Sequence, residues 1–236
     1  MAGNRLLLTE RDQTIIREIN RLGALTREHL TALGQFASKT RANERLKRLV
    51  DEKLLTARRQ PLHAGGPRLV YLPQDSERLR NSSAPFLAHQ LGVVDVRVAF
   101  EVVTPVSRWL TDQELRAFNL GIIPDGYVEY SHQVKAFCAF LECDRQTETV
   151  ERVVRKVRAY LALAFSGRFE QEFHLKYFRL LLVVDSPGRL ANLSTAIVRV
   201  SDKVTRLALL RDVKTRGPLA PIWQRPGSKV FESLTQ

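Results

Sequence analysis

Three carboxylates and a lysine stand where two strand-like runs and a helix could bring them together. Asp125 follows Pro124 within one apolar run, and Glu142 and Asp144 close the next. A basic helical stretch, Glu151-Arg-Val-Val-Arg-Lys-Val-Arg-Ala-Tyr160, comes straight after and carries Lys156. Carboxylate oxygens on neighbouring strands, beside a lysine on a packed helix, could hold a divalent cation against a phosphate. The same residue types equally describe solvated strand ends with no chemistry.

Other chemistries find less support. There is no Ser/His/Asp arrangement, no Walker loop and no GxGxxG, so neither acyl nor nucleotide chemistry is expected. Cys138 and Cys143 lie five apart on one expected strand, which disfavours a bridge, and no Cys/His cluster suggests zinc. His89 could shuttle a proton or merely pack its helix. Glu101, on an apolar helix, faces either the acidic residues or water, because full burial would be costly. Tyr160 follows Lys156 by four residues on one helical face and reads as a core tyrosine with a tethered hydroxyl.

The elements that must position these residues form a helix-first α/β series. A helical pattern spans 86–103, followed by expected strands at 108–116, 122–130 and 135–143. A helix at 149–165, an apolar strand at 178–185, a helix near 190–200 and a short strand at 206–210 complete it. Consecutive strands followed by β-α-β units predict an α/β domain over 86–213, α+β overall, with a central mixed sheet. Residues 214–236 read as a basic tail rich in proline and glycine, and 74–85 as a polar linker.

Ahead of the linker, residues 1–73 read as three short helices and a hairpin. Thr9 and Asp12 signal a helix start, Gly23 and Gly34 signal stops, and Ser38 opens a third helix. Ala42, Leu46, Leu49 and Val50 form that helix's apolar stripe. Its other faces carry Lys39, Arg41, Asn43, Arg45, Lys47 and Arg48. Two strands follow around His63-Ala-Gly-Gly-Pro67, whose glycines allow a tight turn. In a helix that enters a major groove, Arg41, Asn43 and Arg45 would meet base edges. Lys39, Lys47, Arg48, Arg58, Arg59 and Arg68 would neutralise phosphates.

Charge supports that direction. The 236 residues carry a formal charge of +12, and the first 80 hold 16 Lys/Arg against 9 Asp/Glu. A basic excess of this size implies a polyanionic partner, nucleic acid before an anionic membrane surface. No signal peptide and no apolar run near 18 residues is visible, so a cytoplasmic protein without a membrane partner is expected.

The phrase Arg45-Leu-Lys-Arg-Leu-Val-Asp-Glu-Lys-Leu-Leu55 resembles the exit of a recognition helix in the winged helix-turn-helix family. Pro124-Asp125 with Glu142-x-Asp144 resembles the restriction-endonuclease-like, or PD-(D/E)xK, fold. That resemblance implies Asp125 and Glu142, with the Cys143 carbonyl, as ligands of Mg²⁺ or Mn²⁺, and Glu101 as a further acidic ligand. Asp144 stands where the family has lysine, so Lys156 on the following helix would replace it. Asp144 and Glu148 would complete a second site or pair with Arg145 and Arg152.

Leu8-Thr-Glu-Arg-Asp12, His89-x5-Asp95-Val-Arg-Val98, Pro124-Asp-Gly126 and Leu141-Glu-Cys-Asp-Arg-Gln-Thr-Glu148, with Lys156 and Tyr160, together resemble the replication-relaxation family of plasmids and mobile elements. This resemblance implies a protein of replication or copy control that binds double-stranded DNA. It leaves room for a homodimer and for a replication partner protein. The candidate catalytic set is Asp125, Glu142, Asp144 and Lys156, acting as a metal-dependent nickase. The alternative is a non-enzymatic regulator on a degenerate nuclease fold.

Overall fold

The computed structural model describes residues 7–61, 68–145 and 148–235. Contacts divide the chain into two compact units, Met1–Val94 and Asp95–Gln236.

In the first unit, α1 (Glu10–Leu22), β1 (Leu25–Thr26), α2 (Arg27–Ala32) and α3 (Lys39–Asp51) precede the antiparallel pair β2 (Leu55–Gln60) and β3 (Arg68–Pro73). Thr9 opens α1 with a reciprocal cap on Asp12, satisfying donors that a helix start leaves open. Gly23 closes it at φ +78°, a left-handed value that glycine adopts without strain. Ile15, Ile19, Leu30, Leu46 and Leu49 are fully buried, as the helical periodicity requires. The sheet runs β1-β3-β2, with Arg59 opposite Leu69 and Gln60 opposite Arg68 at its open end. The expected glycine turn at 63–67 lies outside the described residues.

The segment read as a linker carries one helical turn, α4 (Glu77–Arg80). Leu79 packs on a cluster of Ala24, Val70, Leu72, Leu87 and Leu91, the last two from the first half of α5 (Ala84–Val103). The division between the units therefore falls inside this helix.

The second unit holds β4 (Val106–Thr111), α6 (Asp112–Leu115), β5 (Gly126–His132), β6 (Lys135–Asp144), α7 (Val150–Phe165) and α8 (Arg168–Phe173). After these come β7 (Arg179–Val184), α9 (Pro187–Ile197), β8 (Thr205–Leu209), α10 (Leu210–Arg216), β9 (Trp223–Gln224) and β10 (Phe231–Glu232). The seven strands run β10-β9-β8-β7-β6-β5-β4. Strands β4, β5 and β6 are antiparallel neighbours, whereas β6, β7 and β8 are parallel. The chain thus adopts the mixed α/β architecture expected, α+β overall, around a mixed central sheet. No helix among the described residues is long and apolar enough to cross a membrane.

The pleat sorts β5 and β6 residues between two faces. Tyr127 and Phe140 face α7, with ring centroids 5.1 Å apart and Phe140 5.6 Å from Tyr160. Tyr130 and Phe137 face the other way, where Phe100 of α5 packs 5.0 Å from Tyr130.

Besides α4 in the expected linker, the structure adds α8 and α10 and departs from the sequence-based expectation at 108–116 and in the tail. The expected strand 108–116 ends at Thr111, because Thr111 and Glu114 form a reciprocal cap that starts α6. Of residues 214–236, read as basic tail, 214–216 belong to α10 and the stretch from 217 to 235 includes β9 and β10, with Ile222, Trp223 and Leu234 buried. Trp223 donates its indole N–H to the Pro218 carbonyl at 2.7 Å, and Glu232 pairs with Arg225 at 2.9 Å.

Candidate functional site

β5 begins at Gly126, one residue after Asp125, but the backbone N–H of Asp125 still donates to the Leu141 carbonyl at 3.0 Å. That bond continues the ladder and holds Asp125 beside the end of β6. Its Oδ2 accepts the Cys143 backbone N–H at 2.8 Å. Glu142, between Leu141 and Cys143, points to the α7 face with Phe140. There α7 meets it with two groups one turn apart: Lys156 Nζ donates to Oε2 at 2.8 Å, and the Tyr160 hydroxyl donates to Oε1 at 2.6 Å. Lys156 also reaches Glu148 at 3.1 Å.

The electrostatics follow from burial. The Glu142 side chain is only 5% exposed. Burial first, and the Asp125 charge second, push its carboxyl up to about 7 against the pull of Lys156 and Tyr160. Burial opposes the charge on Lys156, but Glu142, Asp125 and Glu148 together hold its ammonium well above the ordinary lysine range. Tyr160 is fully buried, and burial reinforced by the Glu142 charge keeps its hydroxyl protonated as a donor. Asp125, Glu142 and Lys156 therefore form one group, and Tyr160 braces it from the same helix.

Asp144 belongs to a neighbouring network. Arg189 reaches its Oδ2 through Nε at 2.7 Å and donates to the Glu148 carbonyl at 2.6 Å. Arg152 pairs with Glu148 at 3.1 Å, as one of the expected pairings has it, and Arg145 pairs with Asp185 at 3.0 Å. Glu101 is not brought to this group. It pairs with Arg97 at 2.7 Å on α5, next to Phe100 and hence on the opposite face of the sheet. His89 lies on the first half of α5, in the other unit. Sequence reasoning missed Arg189. Its one local signal was Ser186-Pro187, which starts α9 and sets Arg189 in the first turn.

Among the described residues, no group of three or more His, Cys, Asp or Glu side chains is placed to hold a metal ion. The pair that could contribute to one is Asp125 and Glu142. Cys143 adds a backbone carbonyl on the strand edge that also points its N–H at Asp125.

The basic face of the first unit divides in two. Lys39, Arg41, Arg48, Arg59 and Arg68 are exposed. The others are engaged. Arg45 is turned inward, its Nε 2.7 Å from Asp12 Oδ1 and its Nη2 on Oδ2 and on the Leu7 carbonyl. Asp12 is fully buried. Burial would raise its carboxyl, but hydrogen bonds from Arg45 and Thr9 outweigh that and bring it down to about 2. Asn43 accepts from Arg27 at 3.0 Å, Lys47 pairs with Asp51 at 2.6 Å, and Arg58 donates to the Ser82 carbonyl at 2.6 Å. Among the described residues, Arg41 is thus the exposed one of the expected base readers with no such tether.

A model of the replication-relaxation family matches residues 16–175, from α1 to just beyond α8. The matched span includes α3, Asp125, Glu142, Lys156 and Tyr160. No curated protein and no solved structure matches the chain.

Proposed function

The chain belongs to the replication-relaxation family, and on that premise we propose that it is a double-stranded-DNA-binding protein of mobile-element replication that nicks DNA with a divalent metal ion. The first unit is read as a winged helix, with α3 in a major groove and the β2-β3 hairpin along the backbone. The second is read as a PD-(D/E)xK-type domain. The observation that carries the nuclease reading is the convergence of Lys156 on Glu142 at 2.8 Å, beside Asp125.

The donors suit a sparse site for Mg²⁺ or Mn²⁺. These ions keep several waters and need only one or two carboxylates plus substrate phosphate oxygens. Asp125, Glu142 and the Cys143 carbonyl would hold the ion, whose charge polarises the phosphodiester and activates water. The rest falls to the chain itself. The Cys143 N–H fixes Asp125, Tyr160 fixes Glu142, and Lys156 places a cation where negative charge grows on the phosphate. Asp144, held by Arg189, supports the strand end instead of touching the substrate.

A second reading is a non-enzymatic replication regulator on the same fold. It is favoured by both Glu142 oxygens being hydrogen-bonded from α7 and by the nearly complete burial of that side chain. One experiment separates them. Supercoiled plasmid of the cognate element, incubated with Mg²⁺ or Mn²⁺, is converted to the open-circular form by the parent chain but not by Asp125→Ala or Glu142→Ala. No conversion by the parent, or conversion that survives both substitutions, rejects the nickase in favour of the regulator.

A further inference from the structure

α7 has an outer face that neither the sheet nor the carboxylate group uses. Its inner side buries Val153, Val157, Tyr160 and Leu163. Arg155, Arg158, Ala162 and Phe165 lie on the opposite side at helical spacing, and all are exposed. Phe165 is 87% exposed. A single surface phenylalanine needs no explanation by itself, but this one stands in line with two guanidinium groups. Arg155 and Arg158 have no ion-pair partner among the described residues, whereas Arg152, less than a turn earlier, is paired with Glu148. Glu151 is the acidic group on this side, and it sits at the far end, in the first turn.

Uncompensated arginines leading to an open aromatic ring match the chemistry of one nucleic-acid strand, cations for phosphates and a π face for an unstacked base. Duplex DNA offers the phosphates but keeps its bases stacked, so the ring favours a single strand. From Arg155 to Phe165 the helix advances by about 15 Å, room for a short run of nucleotides. Lys156 lies toward the inner side of the same helix, where it meets Glu142 of β6 at 2.8 Å, so a strand held outside would be separated from the carboxylate group by the width of the helix, about 10 Å.

We propose that the outer face of α7 binds a single DNA strand, its phosphates on Arg155 and Arg158 and a base stacked on Phe165. The proposal rests on the reading of the chain as a DNA-binding protein and adds single-stranded DNA as a ligand of the second unit.

The test uses the full chain and fluorescence anisotropy with two labelled probes, an oligo(dT) strand and a mixed-sequence duplex. Phe165→Ala is expected to weaken oligo(dT) binding by about 5- to 100-fold, the usual range for one stacked base. The pair Arg155→Gln/Arg158→Gln weakens it and flattens its salt dependence. Both variants keep the parent's duplex affinity and melting temperature, since all three side chains are exposed. Arg41→Gln/Arg48→Gln in α3 does the reverse, losing duplex and keeping oligo(dT). The proposal is overturned if the α7 variants bind oligo(dT) as the parent does, or lose both probes in parallel. It also falls if the parent binds duplex but not oligo(dT). A parent that binds neither probe removes the DNA-binding reading itself.

Discussion

At the scale of single residues, the carboxylates of this chain are held by partners that differ in how visible they are in the sequence. Lys156 and Tyr160 sit four apart on one helix, so their common face was legible, and the structure turns that face onto Glu142. The partner of Asp144 was not legible, because Arg189 is 45 residues away and reaches it only once β7 and α9 have folded. The Tyr160 hydrogen bond can be weighed directly. Tyr160→Phe keeps the ring against Phe140 and Phe178 but leaves one oxygen of a buried carboxylate without its donor. A loss of about 1.5–3 kcal/mol in urea unfolding is expected, in the range for hydrogen bonds to charged groups. A loss below a few tenths would mean that water replaces the hydroxyl. Asp12 offers a second measurement, on pH. Its folded carboxyl titrates near 2 instead of 3.8, so its stabilisation is fully present above pH 4 and is lost as pH falls through 2. The lost part is about 2 kcal/mol at roughly 1.4 kcal/mol per pH unit. Melting curves between pH 5 and 2 should show this fall in the parent and a flatter profile in Asp12→Asn, which starts lower.

At the scale of elements, what the sequence displayed was periodicity, and what it hid was how capping and tertiary partners redirect a periodic run. α1, α3, α7 and the apolar β7 lie close to where their apolar spacing put them. The run from Arg108 to Arg116 kept an apolar residue at Trp109, Leu110 and Leu115, enough to read as strand, yet Thr111 and Glu114 exchange hydrogen bonds at 2.8 Å and 3.3 Å and bend the chain into α6. The signal was a capping box inside the run. Thr111→Ala should cost about 1 kcal/mol, as loss of a helix cap does, measured as a shift in the urea midpoint at constant slope. A neutral result would show that β4 pairing, not the cap, ends the strand. α5 was legible as a helix but not as one whose halves serve different cores. Leu87 and Leu91 join Ala24, Val70 and Leu72, while Phe100 joins Tyr130. Residues 217–235 were misleading in composition, since their prolines and basic residues masked Ile222, Trp223 and Leu234, which are buried.

At the scale of the whole molecule, the charge of +12 is the property that composition announced most openly, and the structure separates exposed cations from engaged ones. On the first unit, ion pairs and carbonyl contacts occupy Arg45, Lys47 and Arg58. Lys39, Arg41, Arg48, Arg59 and Arg68 are exposed. Each phosphate neutralised releases counterions and adds about −0.9 to the slope of log affinity against log salt concentration. If Lys39, Arg48, Arg59 and Arg68 meet phosphates, Arg41 meets a base edge and Arg45 stays on Asp12, the slope for duplex binding should be about −3 to −4. Counting all six expected phosphate contacts, Lys47 and Arg58 included, would instead give about −5 to −6. Replacing Lys39 or Arg59 by Ala should lower the slope by about one unit each across all sequences, since phosphate contacts carry no base preference. Arg45→Ala should act differently, lowering the melting temperature because Asp12 is left buried without its ion-pair partner. A slope near zero, or an Arg45→Ala chain that melts like the parent and loses only DNA affinity, would reverse the division of the basic face into anchoring and binding residues.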